Sequence, residues 1–287
     1  FGPACPQPVR FNYMIPDNQA PNEDCLTINV SAPAEAKDQP VWVMIHGGGF
    51  VSGSGEYLLG LGPLLNAEGI VFVSFNYRLS TLGFFAHPEL PSEQGVNYGL
   101  MDMWAALEWV RENIAAFGGD PGRVTISGIS AGGMAVDMLM ITPESANLIA
   151  GAISQSGYGT WFRQPRTGKV TPLDHAPSAE AMALELGGEV TGKPPKEVTL
   201  GDLYAVPAER WAESVRGFHV PIVDGLSLPE ETAILFARGE QHPVPFMSGG
   251  TSYDGSVLGI SGVDTKTLVE ITNGQEDRLK ALWVEDF

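Results

Sequence analysis

Short uncharged runs rich in β-branched and aromatic residues recur along the chain and predict buried strands. Three of them, at residues 41–45, 70–75 and 124–126, are apolar at nearly every position, which is typical of strands covered on both faces of a sheet. Residues 26–30 alternate between apolar and polar side chains and predict a further strand. Shorter runs predict strands at residues 150–155, 220–223 and 244–248.

Apolar side chains at a period of 3.6 residues predict a long helix over residues 98–117. The apolar face comprises Leu100, Met103, Trp104, Leu107, Val110, Ile114 and Phe117, whereas Asp102, Glu108, Arg111 and Glu112 lie largely off it. Further helical patterns begin at Met134 and cover residues 178–186 and 229–238. Strands that alternate with helices predict the α/β class, with a mostly parallel central sheet and helices on both of its faces.

The turn between the strand at 124–126 and the helix from Met134 reads Gly128-Ile129-Ser130-Ala131-Gly132. A strand, a sharp turn and a helix around G-x-S-x-G are typical of a nucleophile elbow, in which the serine backbone is strained and its hydroxyl stands clear of the sheet. Glycine is expected two residues either side of the serine, because side chains there would collide with the neighbouring strand and helix. We therefore predict that Ser130 is a catalytic nucleophile.

A triple-glycine loop supplies the second group that acyl transfer through a serine requires. His46-Gly47-Gly48-Gly49 directly follows the strand at 41–45, where backbone without side chains can turn its N–H groups toward a reacting carbonyl. The N–H groups of Gly48 and Gly49, together with that of Ala131, are predicted to form an oxyanion hole. A flexible loop is the alternative interpretation of the glycines, and we interpret His46 itself as structural.

The general base cannot be assigned from the order of residues. In this class of hydrolase the partners follow in the order Ser, acid, His. Asp254 lies on a glycine-rich loop after the strand predicted at 244–248 and is the candidate acid, with an ordinary Asp-Gly turn as the alternative. All histidines precede it, namely His46, His87, His175, His219 and His242. His219 and His242 border predicted strands, so structural roles are expected for both.

Residues 160–216 differ from the rest of the chain in having short helical patterns broken by glycine and proline. We interpret this segment as a helical insertion over the active-site edge of the sheet, forming a cap or a wall of the substrate pocket. It carries no pattern for a core of its own. Residues 1–287 are therefore expected to form a single domain.

Composition narrows the possible partners. The formal net charge of −18 argues against nucleic acid and anionic membranes, and no apolar run approaches the roughly 20 residues that span a bilayer. Histidine and cysteine lack metal-ligand spacing, so no metal or other cofactor is expected. A disulfide between Cys5 and Cys25 would indicate an oxidising compartment, either secreted or periplasmic. Two buried free thiols are the alternative, and no signal-peptide pattern is readable.

Six motifs in the same order along the chain resemble those of the type-B carboxylesterases, the cholinesterase-like branch of the α/β-hydrolases. They lie at residues 22–30 (NEDCLTINV), 46–50 (HGGGF), 76–79 (NYRL), 97–102 (NYGLMD), 113–121 (NIAAFGGDP) and 128–133 (GISAGG). The resemblance extends from about Cys5 to Gly255. It implies the α/β-hydrolase fold and cleavage of a small-molecule carboxylic ester through an acyl-enzyme intermediate.

The resemblance also implies roles for individual residues. Cys5 and Cys25 match the first disulfide of the family, and Ser130 matches its nucleophile. Asp254 falls where the family usually carries a glutamate followed by glycine. Ser156, in Gln155-Ser156-Gly157, matches a serine that supports the acid in some members.

Three departures from the family pattern change what is expected. Members are longer and carry the catalytic histidine in a C-terminal part, which implies that this chain is incomplete at both ends, with the base in a missing C-terminal segment or a second chain. Ile129 replaces the glutamate that usually precedes the nucleophile. The loop between Cys5 and Cys25 has no tryptophan, the residue that cholinesterases use to bind a quaternary ammonium. An uncharged, bulkier or more apolar ester is therefore expected.

Two other interpretations remain open at this point. A non-catalytic, cholinesterase-like interaction protein is favoured by the absence of a histidine after Asp254, but not by Ser130 and the intact glycine loop. A short esterase similar to hormone-sensitive lipase would share the His46-Gly47-Gly48-Gly49 loop. That class needs a histidine near its C-terminus, which this chain does not have.

Overall fold

A computed structural model describes residues 2–16, 20–157, 177–215 and 221–251. Within these residues a six-stranded sheet has the order β1-β3-β2-β4-β5-β6. Its strands are β1 (Ile28–Ser31), β2 (Gln39–Ile45), β3 (Val71–Phe75), β4 (Gly119–Ile129), β5 (Gly151–Gln155) and β6 (Phe246–Gly249). β1 is antiparallel to β3, and every other neighbouring pair is parallel. The predicted α/β class with a mostly parallel sheet is confirmed.

The central strands are covered on both faces, as their apolar sequences predicted. All five residues of β3 are buried, and in β2 Val41, Val43, Met44 and Ile45 are buried. Burial of successive residues means that side chains pointing to opposite faces are both out of water. Within the described residues, one hydrophobic cluster includes buried side chains of β2, β3 and β4.

One predicted strand is wrong. Of residues 220–223, those from Pro221 onward are described, and they form no more than an isolated bridge. The Asn97 side chain takes the place of a strand partner here, because its amide accepts a hydrogen bond from the Ile222 N–H and donates one to the Ile222 carbonyl, both at 2.7 Å. Backbone groups satisfied in this way do not need a ladder.

Helices connect the strands in the described part of the chain. They are α1 (Gly62–Ala67), α2 (Ser80–Gly83), α3 (Tyr98–Asn113), α4 (Ala131–Leu139), α5 (Ala179–Thr191), α6 (Leu200–Ala205), α7 (Ala208–Ser214) and α8 (Thr232–Ala237). The predicted helix over 98–117 is α3 followed by a 3₁₀ turn, Ile114–Phe117. Its predicted apolar face is buried at Leu100, Met103, Leu107, Val110 and Ile114, whereas Phe117 is 43% exposed.

Asp102 is buried, although periodicity placed it off the apolar face of α3. Its carboxylate accepts hydrogen bonds from Arg78 at three nitrogen atoms, namely the backbone N at 2.9 Å, Nε at 2.8 Å and Nη2 at 2.7 Å. The Asp102 side chain is 6% exposed and that of Arg78 is 38% exposed. This bidentate pair fixes the chain that leaves β3 against the start of α3.

We expect Asp102→Asn to lower the free energy of unfolding by about 2–3 kcal/mol, because an amide replaces the buried carboxylate that accepts three hydrogen bonds from Arg78 and leaves the guanidinium without its counter-ion. Urea denaturation checks the value. Asp120→Asn is the matched control, since its Arg123 partner is 52% exposed and exposed pairs contribute little. Equal losses in the two variants would contradict this account.

Residues 177–215 form a layer of short helices with a small apolar cluster of their own. α5, α6 and α7 contribute Ala183, Leu203 and Trp211 to this cluster, and Phe85 joins it from the main body of the domain. The centroids of the Trp211 and Phe85 rings lie 5.2 Å apart. The predicted cap or pocket-forming role of residues 160–216 stays a prediction, and residues 160–176 and 216 lie outside the described part of the chain.

Cys5 and Cys25 form a disulfide, with their Cα atoms 4.9 Å apart, and the described residues contain no free cysteine. The alternative of two free thiols is therefore wrong. Cys25 lies three residues before β1, so the bond ties the N-terminal segment to the edge of the sheet.

Candidate active site

Ser130 lies in a sharp turn between β4 and α4 and has an unusual backbone conformation, with φ 56° and ψ −123°. A non-glycine residue with positive φ is strained. Two backbone hydrogen bonds hold the strained turn in place: the Ser130 N–H donates to the Gln155 carbonyl of β5 at 2.8 Å, and the Ser130 carbonyl accepts from the Met134 N–H at 2.9 Å. This is the geometry expected of a nucleophile elbow.

Glycines at positions 128 and 132 allow the turn to close. A Cβ built on Gly128 would lie 2.1 Å from the Gly132 carbonyl oxygen in α4, and one built on Gly132 would lie 2.2 Å from the Ile45 carbonyl oxygen in β2. Both obstacles are backbone atoms, which cannot rotate away. The expected collisions with the neighbouring helix and strand are therefore present in the structure.

The glycine loop after β2 lies directly beside Ser130. Ile45, the last residue of β2, is in register with Gly128 of β4, and a Cβ built on Gly47 would lie 3.2 Å from the Ser130 Cβ. Gly48 and Gly49 both have positive φ, at 109° and 64°. The Gly48 carbonyl accepts hydrogen bonds from Val51 and Ser52 at 3.0 and 3.1 Å, so the loop folds back on itself.

Backbone N–H groups of the glycine loop and of the start of α4 are left without hydrogen-bond partners among the described residues. In the described part of the chain, the N–H groups of Gly48 and Gly49 donate to no protein acceptor. Ala131 is the first residue of α4, where an N–H has no carbonyl of the preceding turn to bond. The structure therefore brings Ser130, Gly48, Gly49 and Ala131 together at one edge of the sheet.

Ser156 lies at the same edge, immediately after β5, and has φ 48°. Its N–H donates to the carbonyl of Gly249, the last residue of β6, at 2.7 Å. The carboxyl ends of β4, β5 and β6 are in register, through the pairs Ile129 with Gln155 and Gln155 with Gly249. Asp254 lies outside the described residues, five positions beyond the end of β6.

His46 is buried beneath the glycine loop and packs against Tyr77. The two rings are stacked with their centroids 4.3 Å apart, and the Tyr77 hydroxyl donates to the His46 carbonyl at 2.9 Å. His46 Nδ1 lies 2.9 Å from the Gly47 carbonyl oxygen, so Nδ1 carries the proton and donates. Periodicity gave no sign of the Tyr77 contact, because it joins residues 31 positions apart in the chain.

Burial lowers the pKa of His46 from its ordinary 6.5 to about 4, although the hydrogen bond to Gly47 opposes the shift. The unfolded chain therefore binds a proton between these pH values while the folded chain does not, and the stability that this group contributes is lost as the pH falls from 6.5 to 4. A shift of this size corresponds to about 3 kcal/mol.

We expect His46→Gln to reduce the acid sensitivity of the fold. Free energies of unfolding are measured between pH 4.5 and 7.5. The value for the wild type should fall toward that of the variant as the pH falls, because histidine takes up a proton in the unfolded state and glutamine does not. Parallel stability curves over this range would contradict a neutral, buried His46.

The other described histidines have structural contacts. His242 Nε2 lies 2.9 Å from the Thr142 carbonyl oxygen and 3.3 Å from Ser145 Oγ, before the start of β6 and thus at the opposite end of the sheet from Ser130. His87 is buried, and its Nδ1 accepts from the Glu89 N–H at 3.2 Å. None of the described histidines hydrogen-bonds to the Ser130 hydroxyl; His175 and His219 lie outside the described residues.

The surroundings of Ser130 include an exposed apolar side chain and no cluster of metal ligands. Ile129, next to the serine, is 45% exposed.

Among the residues that the structure describes, no three of His, Cys, Asp and Glu are grouped as metal ligands, and no helix has the length and apolar character needed to cross a bilayer. A serine hydroxyl in a strained turn and unbonded backbone N–H groups at the same edge of a sheet are the groups that acyl transfer uses to attack a carbonyl and to stabilise its oxyanion.

The chain matches the sequence profile of the carboxylesterase family over residues 1–285. It is 37% identical over 260 residues to the fumonisin B1 esterase of Sphingopyxis macrogoltabida, covering 87% of this chain and 46% of that protein. It is also 37% identical over 266 residues to the para-nitrobenzyl esterase of Bacillus subtilis (strain 168), covering 89% of this chain and 52% of that protein.

A solved structure of a PNB esterase has the same fold, with a TM-score of 0.76 and 33% identity over 90% of this chain and 53% of that one. The predicted α/β-hydrolase fold is thereby confirmed. The chain spans about half the length of the curated relatives that it matches.

Proposed function

The chain belongs to the carboxylesterase family, the type-B branch that its motifs indicate, and from this premise we propose that the protein is a serine hydrolase that cleaves carboxylic esters. The observation that carries the proposal is the strained Ser130 at the β4–α4 turn, held beside a loop with free backbone donors. A strained serine is costly to keep, and this geometry presents its hydroxyl to a substrate.

The reaction proceeds through an acyl-enzyme. Ser130 Oγ attacks the ester carbonyl as its proton passes to a base, and the N–H groups of Gly48, Gly49 and Ala131 stabilise the negative charge on the carbonyl oxygen. Collapse of the adduct expels the alcohol, which takes up a proton. Water then attacks the acyl-enzyme by the same route and releases the acid.

Asp254 is the proposed acid that orients the base, and Ser156 is the proposed support for Asp254. Ser156 lies beside the end of β6, and Asp254 follows the end of β6 by five residues in the sequence, which supports this pairing. All five histidines precede Asp254 in the sequence, so the proposal assigns the base to no residue of this chain. The second chain considered on the sequence alone has no support in the comparisons.

The proposed substrate is an uncharged ester with apolar groups near the scissile bond. Ile129, next to Ser130 in the sequence, presents an exposed apolar side chain, whereas the glutamate usual in the family would attract a cation. The name of the relative called para-nitrobenzyl esterase, which indicates an uncharged aromatic group, is consistent with such a substrate. The Cys5–Cys25 disulfide supports an oxidising compartment, and we propose secretion or a periplasmic location.

Covalent labelling tests the proposal. The protein, expressed from its full reading frame, is treated with a fluorophosphonate, digested and mapped by mass spectrometry. We expect a single phosphonyl adduct on the peptide that contains Ser130, because this reagent reacts with an activated serine beside an oxyanion hole. A non-catalytic interaction protein would not react, and a modification spread over several serines would also contradict the proposal.

A further inference from the structure

The disulfide-bonded N-terminal segment forms hydrogen bonds with the loop that contains the glycines beside Ser130. Gln7, two residues after Cys5, is 5% exposed. Both polar atoms of its side-chain amide bind Gly53, in the second half of the loop that runs from residue 46 to residue 55. Its Nε2 donates to the Gly53 carbonyl at 3.0 Å, and its Oε1 accepts from the Gly53 N–H at 2.9 Å. The same Nε2 also donates to the Cys5 carbonyl at 3.0 Å.

Gly53 in turn lies against the histidine from which the loop begins. A Cβ built on Gly53 would lie 2.4 Å from His46 Nδ1 and 2.8 Å from the Gly47 carbonyl oxygen. The clamped residue is thus in contact with both residues that precede Gly48. A displacement of Gly53 would therefore be transmitted to the backbone that carries the proposed oxyanion donors.

A second amide fixes the end of the same loop. Asn76 Oδ1 accepts from the Gly55 N–H at 2.8 Å, while its Nδ2 donates to the carbonyls of Pro3 at 2.9 Å and Cys25 at 3.0 Å. The N-terminal segment and the loop are therefore joined at two points, Gly53 and Gly55. Asn76 directly follows β3, so its position is set by the sheet. Gln7 belongs to the disulfide-bonded segment, so only its contact with the loop depends on that segment alone.

We propose that Gln7 is a positioning residue for the proposed ester hydrolysis: by clamping Gly53 it fixes the oxyanion loop at the position that the transition state requires. Gly48 and Gly49 have great conformational freedom on their own, whereas oxyanion donors must lie within a few tenths of an ångström of the developing charge. The clamp removes that freedom without touching the substrate. This inference rests on the proposed function of Ser130.

The test compares Gln7→Met, which keeps the length of the side chain but removes its amide, with the wild type. Active sites are counted by titration with a fluorescent phosphonate, so that unfolded protein does not enter the rates. We expect kcat per titrated site to fall about 10- to 100-fold with KM changed less than about threefold. The inhibition constant of an aryl trifluoromethyl ketone, whose adduct with serine carries an oxyanion, should rise by the same factor as kcat falls.

Two further variants make the result interpretable. Gln39→Met is the matched control, since its amide bonds to the Lys37 carbonyl at the other end of β2, and it should change neither quantity. Gln7→Ala, which leaves room for water to hydrate Gly53, is measured alongside in case the methionine variant folds poorly. It should reduce kcat and ketone affinity together in the same way.

The outcomes separate this inference from the proposed function. A lower melting temperature and fewer titratable sites, with kcat per site and ketone affinity unchanged, would show that Gln7 only supports the fold and would overturn the inference. A fall in kcat without a matching loss of ketone affinity would overturn it as well. A wild-type protein that reacts with neither the phosphonate nor the ketone would overturn the proposed function, and the inference with it.

Discussion

Ser130→Ala should reduce the turnover of a small aryl ester by about 10⁴-fold or more, because removal of the nucleophile of a triad leaves only the catalysis that comes from binding and the oxyanion hole. The melting temperature should stay close to that of the wild type, since alanine loses one oxygen atom and neither backbone hydrogen bond of residue 130 depends on the side chain. Initial rates and thermal denaturation of both proteins check the two expectations.

The matched control for this variant is Ser92→Ala, which removes an exposed hydroxyl in the loop before α3 and should keep the wild-type rate. A Ser130→Ala protein with wild-type turnover would show that Ser130 is not the nucleophile. A variant that is inactive but also unfolded would not fit the expectation either, because the contacts of the turn are made by the backbone.

Gly132→Ala should lower the free energy of unfolding by about 3 kcal/mol or more, together with a loss of activity of at least about 100-fold. The new Cβ would lie 2.2 Å from the Ile45 carbonyl oxygen and 2.9 Å from that of His46, so α4 must move away from β2. Helix propensity alone predicts the opposite sign, because alanine in a helix is favoured over glycine by about 1 kcal/mol. Urea denaturation and ester hydrolysis measure the two effects.

Gly60→Ala is the matched control for the glycine variant. Gly60 lies in the 3₁₀ helix Glu56–Leu61, and a Cβ built on it would meet no atom within 4 Å. The same chemical change should therefore be neutral or slightly stabilising at position 60. A Gly132→Ala protein as stable as this control would mean that the elbow can open to accept a side chain, and the close-packed description of the turn would be wrong.

The elements that the sequence predicts well are those whose signal lies within a few consecutive residues. The buried strands β2 and β3 have continuous apolar runs, and the Ser130 turn has its glycines within two positions of the serine. The strand predicted at residues 220–223 is equally apolar, yet its backbone bonds to the side chain of Asn97, 125 positions away in the chain. Local periodicity contains no information about such a partner.

The candidate site shows the same division. The sharp turn at Ser130 and the glycine loop beside it could be predicted from motif and strand context, whereas the residues that hold them could not. Gln7 and Gly53 are 46 positions apart, and Asn76 and Gly55 are 21 apart. Periodicity places Asp102 on the polar side of α3 because it counts a carboxylate as solvent-facing, but the Arg78 side chain, from the chain after β3, pairs with the buried carboxylate and satisfies its oxygens.

The close packing of backbone around Ser130 limits how the candidate site can be altered by mutation. A Cβ built at positions 47, 128, 132 or 133 would lie within 2.8 Å of a backbone atom. A side chain at any of these positions would therefore displace the backbone of the turn or of the strand and helix beside it. Ile129 lies among them with nearly half of its side chain exposed. If the proposed function holds, we therefore expect variation at position 129 in a laboratory evolution experiment to alter substrate preference while the turn itself is retained.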